Sequence, residues 1–422
     1  MAAKRRRRGD TVDSPPKSAD PAVESSTEFA KPVYLVAKLR ARKPAYSLLT
    51  VDAAAGSGGT PSARNLGEFA GTRRGMSFVA AHSKHGSWIV GAGRGHIVIY
   101  DPITREAFAG PGLHMPKHKP VLISHGGKVY AMSRRPKVGI RAERDFVPWF
   151  ECIDFNKGAP RIYKMDSCFW SALPPPPFFP GLMTPEEFRN PPEITVSSYA
   201  AVGPYILVSL QQEDKSTYGF HVVEKTWEKA CDKGLPFVGQ AVPLGGSLFA
   251  ACSVASNNAG AAAAVSVFHM SIKASSIPEV SPELVTSVLT IQEFPVASEG
   301  EITWPVFCPL GKGSFCSIRK AARQNQEAND LVGLQIVLTA FQMDNIEATL
   351  KVEDLQAPVQ LEQHNQTCEL NAQHLCLDLP MPVVAALSMD NEHIEFFEEK
   401  TTQARETTTS NIFKPTFIRS MV

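Results

Sequence analysis

The residues best suited to chemistry in this chain are two groups of histidine and cysteine. His82 and His85, then His114, His118 and His125, recur at short spacings, and neutral imidazoles so placed can chelate zinc. No cysteine or carboxylate stands beside them, which favours polar loop histidines over ligands. His364, Cys368, His374 and Cys376 make a better quartet by residue type. Their spacings match no standard zinc module, and Leu375 and Leu377 flank Cys376 as in a strand with a buried thiol. Gly91-Ala92-Gly93-Arg94-Gly95 has the look of a phosphate loop, but no helix follows to supply a dipole. A glycine-rich turn between strands is expected there. Asp101 and Asp154 occupy related places in the chain and are the carboxylates that glycoside hydrolysis would call on. Each also sits where a turn would use it as a backbone cap. There is no nucleophile elbow, Walker A loop or His-Glu-x-x-His pair. The reading of these residues is therefore no catalytic group, no cofactor and no metal.

Binding features are more pronounced. Pro174, Pro175, Pro176 and Pro177 run directly into Phe178 and Phe179, and prolines lower the entropy cost of presenting aromatics. Such a segment serves either as a docking loop or as cover for a sheet edge. Arg134, Arg135, Lys137, Arg141 and Arg144 form a basic stretch, readable as an anionic-partner patch or as a solvated loop.

The elements that must carry these residues are short strands. Between about residue 31 and residue 400 the text is apolar runs broken by glycine, proline and asparagine, which predicts an all-β fold. The one helical signal is Pro185-Glu186-Glu187-Phe188 after Thr184. A unit repeats: a glycine, an apolar strand, a variable loop, then a second strand ending in an aromatic and a polar residue. Gly126-Gly127-Lys128-Val129-Tyr130-Ala131 and Gly245-Gly246-Ser247-Leu248-Phe249-Ala250 are its clearest copies, with degenerate ones at Gly86, Gly203 and Gly313. Val33–Val36 opens the series, and Val383–Leu387 leading to His393–Phe397 closes it. Successive units lie 41 to 76 residues apart, the shorter steps matching the roughly 40–50 residues of a propeller blade. A single blade cannot bury both its faces, whereas blades around an axis bury one another's. The prediction is one β-propeller of six or seven blades, with Gly127 and Gly246 at equivalent turns of two different blades.

The units resemble kelch repeats: a glycine pair, then an aromatic, then the Tyr100-Asp101 turn, with Phe108 near the usual tryptophan place. His221 and Trp227 keep the six-residue spacing, with histidine in the aspartate position. Residues 193–252 are similar to a large grass family of kelch-type propeller proteins, on Ile194-Thr195, Ser198-Tyr199, Thr217-Tyr218-Gly219-Phe220, Trp227 and Leu235–Gln240. The resemblance implies a fold and brings no catalytic residues, and it places Trp227 between blades. Plant kelch proteins often carry an apolar N-terminal F-box, which the polar residues before Val33 do not match.

Residues 1–30 are polar, charged and proline-containing, read as a disordered arm, and 401–422 as a polar tail. The chain of 422 residues has a net charge of +1. That argues against broad electrostatic capture of nucleic acid or an acidic membrane by the body. No apolar run reaches the ~18 residues that span a bilayer. The N-terminus lacks the apolar stretch of a signal peptide, so a reducing compartment and free thiols are expected. Lys4, Arg5, Arg6, Arg7 and Arg8 have the composition of a nuclear-import signal, or of a solubilising tail. The expected role is a protein-interaction scaffold in the nucleus or cytoplasm with a protein partner. The runner-up is a glycan-processing or other small-molecule enzyme working in the central channel.

Overall fold

In the computed structural model, residues 33–387 are described except 40–44, 52–62, 71–75, 95, 118, 137–146, 161–167, 182–185, 187–192, 212–215, 254–263, 276–285, 296–305, 312, 321–333, 344–360 and 371–382. The described secondary structure is strands and one 3-10 turn. The strands fall into six groups of four, two of which are joined into one eight-stranded sheet by the parallel pairing of Ser198 and Tyr199 with Gly239 and Gln240. Blade 1 holds β1 (Val33–Leu39), β2 (Ala45–Val51) and β3 (Ala63–Ala70). Blade 2 is β4 (Met76–Ser83), β5 (Gly86–Gly93), β6 (His96–Asp101) and β7 (Glu106–Ala109). Blade 3 is β8 (Val121–His125), β9 (Lys128–Met132), β10 (Phe150–Asp154) and β11 (Trp170–Ala172). Blade 4 is β12 (Val196–Val202), β13 (Tyr205–Leu210), β14 (Thr217–His221) and β15 (Thr226–Cys231). Blade 5 is β16 (Phe237–Gly245), β17 (Leu248–Ser253), β18 (Ala264–Ser275) and β19 (Thr286–Pro295). Blade 6 is β20 (Val306–Gly311), β21 (Ser314–Lys320), β22 (Leu334–Met343) and β23 (Leu361–Leu370).

The ring closes through β24 (Val383–Leu387), which pairs with β1 and becomes the inner strand of blade 1. The inner strands β4, β8, β12, β16, β20 and β24 neighbour one another in that circular order and return to β4. This is a six-bladed propeller. The seven glycine or valine anchors of the sequence correspond to six blades because Val33 and Val383 lie directly opposite each other in one sheet. The closing pair is parallel, whereas the inner two strands of the other blades are antiparallel. His393–Phe397 lies outside the described residues, as do the two tails and all but Glu186 of the helical signal.

Gly127 and Gly246 are equivalent: each stands in the turn from the first to the second strand, in blades 3 and 5. Both have positive φ, 74° and 54°, which the twist-matched hairpin turn requires. At Gly127 there is a second reason: a Cβ would lie 2.2 Å from the Asn156 side chain, which donates to the Gly126 carbonyl at 2.8 Å. Gly91 corrects the sequence reading. It lies with Ala92 and Gly93 inside β5, not in a turn, and a Cβ there would strike the Phe78 ring at 2.4 Å.

The polar residues that end the third strands of blades 2, 3 and 4 cap the next turn. Asp101 Oδ1 accepts from the Ile103 and Thr104 amides at 2.8 and 3.3 Å, and Asp154 Oδ1 accepts from Asn156 N at 3.0 Å. His221 replaces the acid without losing the function, because its Nδ1 accepts from Glu224 N at 3.1 Å. Each of the Asp101 and His221 turns ends in a left-handed residue, Arg105 or Lys225, whose amide reaches back to the carbonyl of Asp101 or His221.

The core is a set of inter-blade layers. Trp88, Ile97 and Ile99 of blade 2 meet Leu122, Ile153 and Trp170 of blade 3. Tyr130 and Phe150 of blade 3 meet Ile206 and Phe220 of blade 4. Similar layers join blades 1 and 2, 4 and 5, and 5 and 6. Both faces of most strands are therefore buried, which is why they read as apolar runs rather than strict alternation.

Candidate functional site

The proline-rich segment lies in the link from β11 to β12, between the outer strands of blades 3 and 4. Its two ends are held by indole donors. Trp227 Nε1 donates to the Pro174 carbonyl at 2.9 Å, and Trp149 Nε1 donates to the Pro180 carbonyl at 3.0 Å. Within it, Phe179 N closes a turn onto the Pro176 carbonyl at 3.0 Å. Phe179 is only 6% exposed, packed in the layer between blades 3 and 4. Phe178 is half-buried against Tyr218 and Trp227, with ring centroids 4.9 and 6.0 Å away. Of the six residues proposed for docking, Pro174, Pro175 and Pro177 are exposed and Pro176 is buried. The phenylalanines thus seal a blade edge while three prolines face outward on a fixed ledge. Trp227 is between blades as expected, in tilted and edge-on contact with Phe150, Phe178 and Phe220, but it is half-buried rather than enclosed. The ledge itself occupies its outer side.

A second constellation was not visible in the sequence. Glu151 of β10 and Lys117 of the link between β7 and β8 are both fully buried and form an ion pair. The other carboxylate oxygen of Glu151 accepts from His114 N at 3.0 Å and lies 2.6 Å from His114 Nδ1. Lys117 also donates to the Met115 carbonyl at 3.4 Å. Buried charges need this degree of pairing to offset their lost hydration. The link between blades 2 and 3 is thereby pinned to the third strand of blade 3. One signal could have found it: a carboxylate inside a strand buried on both faces requires a cation from elsewhere.

The remaining candidates do not converge. His82 Nδ1 lies 2.8 Å from Ser87 Oγ, and burial holds its imidazole down to about 4. His85 Nε2 lies 3.1 Å from the Asn156 carbonyl, and His114 is engaged by Glu151. Among the described residues no three His, Cys, Asp or Glu side chains are grouped as metal ligands. His118, His374 and Cys376 lie outside the described residues, as do the side chains of His364 and Cys368. Asp101 and Asp154 cap turns in different blades, and none of the six inner strands contains Asp or Glu. Carboxylates for channel chemistry would have to come from the connecting segments. Of the basic stretch, Arg134 is half-buried and Arg135 exposed, and 137–146 lies outside the described residues. Among the described residues no helix is long and apolar enough to cross a membrane.

A family model described as a protein of unknown function, DUF1668, matches residues 30–368. The chain belongs to the DUF1668 family. The match spans the strands from β1 to within β23. No curated protein sequence matches this DUF1668 chain. Among solved structures it is similar to YjhT at 10% identity, covering 79% of this chain and 98% of that one, with a TM-score of 0.35. The β-propeller domain of Cps50 (Swd1) from Myceliophteria thermophila aligns at 10% identity over 69% and 78%, TM-score 0.33. The WD40 domain of SCAP from fission yeast aligns at 8% over 81% and 75%, TM-score 0.29. The six-bladed architecture of the DUF1668 chain rests on its own sheet order and ring of inner strands.

Proposed function

We propose that this DUF1668 protein is an interaction scaffold that engages a protein partner through the ledge at Pro174, Pro175, Pro177 and Phe178. The observation that carries this reading is the pair of tryptophan clamps. Both ends of an exposed proline-rich segment are fixed by indole donors, one part-buried and one exposed, so less conformational entropy remains to be lost on binding. The glycine-pair turns and the Tyr100-Asp101 turn support a kelch-type reading within the grass family named above. The fold itself does not decide function.

The test compares chains that co-purify from cells with the tagged protein and two variants. Trp227→Ala removes one clamp and three ring contacts. It is expected to cost about 2–4 kcal/mol, less than a fully enclosed indole would, and to lose the partner. Pro174→Ser with Pro175→Ser and Pro177→Ser leaves the core intact and is expected to reduce partner recovery at least tenfold. Ile103→Ser with Val223→Ser changes two exposed turns elsewhere and should change nothing. Equal recovery with the triple proline variant and the turn variant overturns the ledge as the binding site.

We assign Lys4–Arg8 to nuclear import within the same reading, with nucleus and cytoplasm both accessible to the protein. Five consecutive cations are the composition such signals need. With a fluorescent protein at the C-terminus, replacing residues 4–8 by alanine is expected to shift signal from nucleus to cytoplasm. An unchanged nuclear signal rules the arm out.

A further inference from the structure

Blade 6 contains an arrangement of thiols that the interaction role does not use. Cys308 of β20 and Cys316 of β21 are directly opposed in the antiparallel register. Both are fully buried, and their thiols are hydrogen-bonded to each other. Directly opposed residues of such strands have Cα atoms roughly 4.5–5.5 Å apart, inside the range of about 4.4–6.8 Å that a disulfide spans. The register therefore places the pair at a separation that a disulfide spans.

The location adds to this. Phe307 and Phe315 point into the layer shared with blade 5. By strand alternation, Cys308 and Cys316 occupy the opposite face, toward blade 1, where β20 neighbours the closing strand β24. That side is the seam of the ring, held by the pairing of β24 with β1 and by no covalent link among the described residues. Burial raises the Cys308 thiol well above its ordinary value, so little thiolate exists in the closed ring and reaction follows seam opening.

We propose that Cys308 and Cys316 are a redox modification site that forms a cross-strand disulfide when a hydroperoxide reaches the opened seam. One thiol, as its thiolate, attacks a peroxide oxygen and breaks the O–O bond, giving a sulfenic acid and, from hydrogen peroxide, water. The second thiolate displaces hydroxide from that sulfur, forming the S–S bond and a second water. Two thiols are oxidised and one peroxide is reduced. The other described cysteines are not paired across strands in this way.

The experiment treats the reduced, full-length protein with hydrogen peroxide, alkylates remaining thiols and digests with trypsin. Lys312 lies between the two cysteines, so cleavage there leaves two peptides joined only if the disulfide has formed. The expected result is that joined pair, two hydrogens lighter than the sum of its reduced peptides, as the main oxidised product. It should form several-fold faster in sub-denaturing urea and be absent from Cys308→Ser. A Cys152→Ser with Cys231→Ser chain, which lacks the two half-buried thiols, should give it unchanged. Full alkylation of Cys308 and Cys316 after peroxide, or sulfinic acid at either without the joined pair, overturns the proposal. Oxidation confined to Cys152 or Cys231 overturns it equally.

Discussion

Replacing Glu151 by alanine is expected to destabilise the protein by about 3–5 kcal/mol, the cost of leaving a buried charge without its partner. Lys117 has no exposed surface to retreat to and would lose the carboxylate that neutralises its charge. A loss of that size is a large fraction of the ~5–15 kcal/mol that holds a typical domain together. It should appear as a lower urea midpoint with little change in slope. The double variant Glu151→Leu with Lys117→Met removes both charges and is expected to recover most of the loss, because well-packed apolar replacements of a buried pair are often neutral. A single-variant loss below about 1 kcal/mol, or a double variant no better than the single, would show that the pair does not pin the link between blades 2 and 3.

Ending the chain after Pro382 is expected to abolish the cooperatively folded ring. The truncation removes β24, leaving five backbone pairings of β1 unmade and opening the inner edge beside Val33, Tyr34, Leu35 and Val36, all buried in the closed ring. Exposing an apolar side chain of this size costs roughly 1.5–3 kcal/mol, so two or three of them consume most of a domain's stability. Far-UV circular dichroism and thermal melting of the truncated chain should show a broad, early transition. A sharp melt within a few degrees of the intact protein would mean that β1 closes the ring without its partner.

Much of this fold was legible because propeller physics is written locally. Glycine at the first turn of blades 2 to 6, and a capping group after the aromatic of a third strand as at Tyr100-Asp101 and Phe220-His221, are short-range requirements. They stand at Gly127, Phe220 and Asp101 as the repeat predicts. His221 shows the requirement to be a hydrogen-bond acceptor rather than an acid. The blade number was less legible, since a repeat read along a line counts the opening and closing pieces separately. Only closure places Val33 opposite Val383.

The proline-rich segment divides the same way. Its composition predicted stiffness and left open a docking loop or cover for a sheet edge. Which residues face solvent depended on Trp149, 31 residues before the Pro180 carbonyl it binds, and on Trp227, 53 residues after the Pro174 carbonyl. Sequence alone therefore determined the strand content, the turn chemistry and the repeat, because each depends on residues a few positions apart. The tertiary structure decided the number of blades, the inward turn of Phe179, the Lys117–Glu151 pair and the facing thiols of Cys308 and Cys316. Those depend on which segments the ring brings together, and on burial that converts an isolated charge or thiol into one that must be partnered.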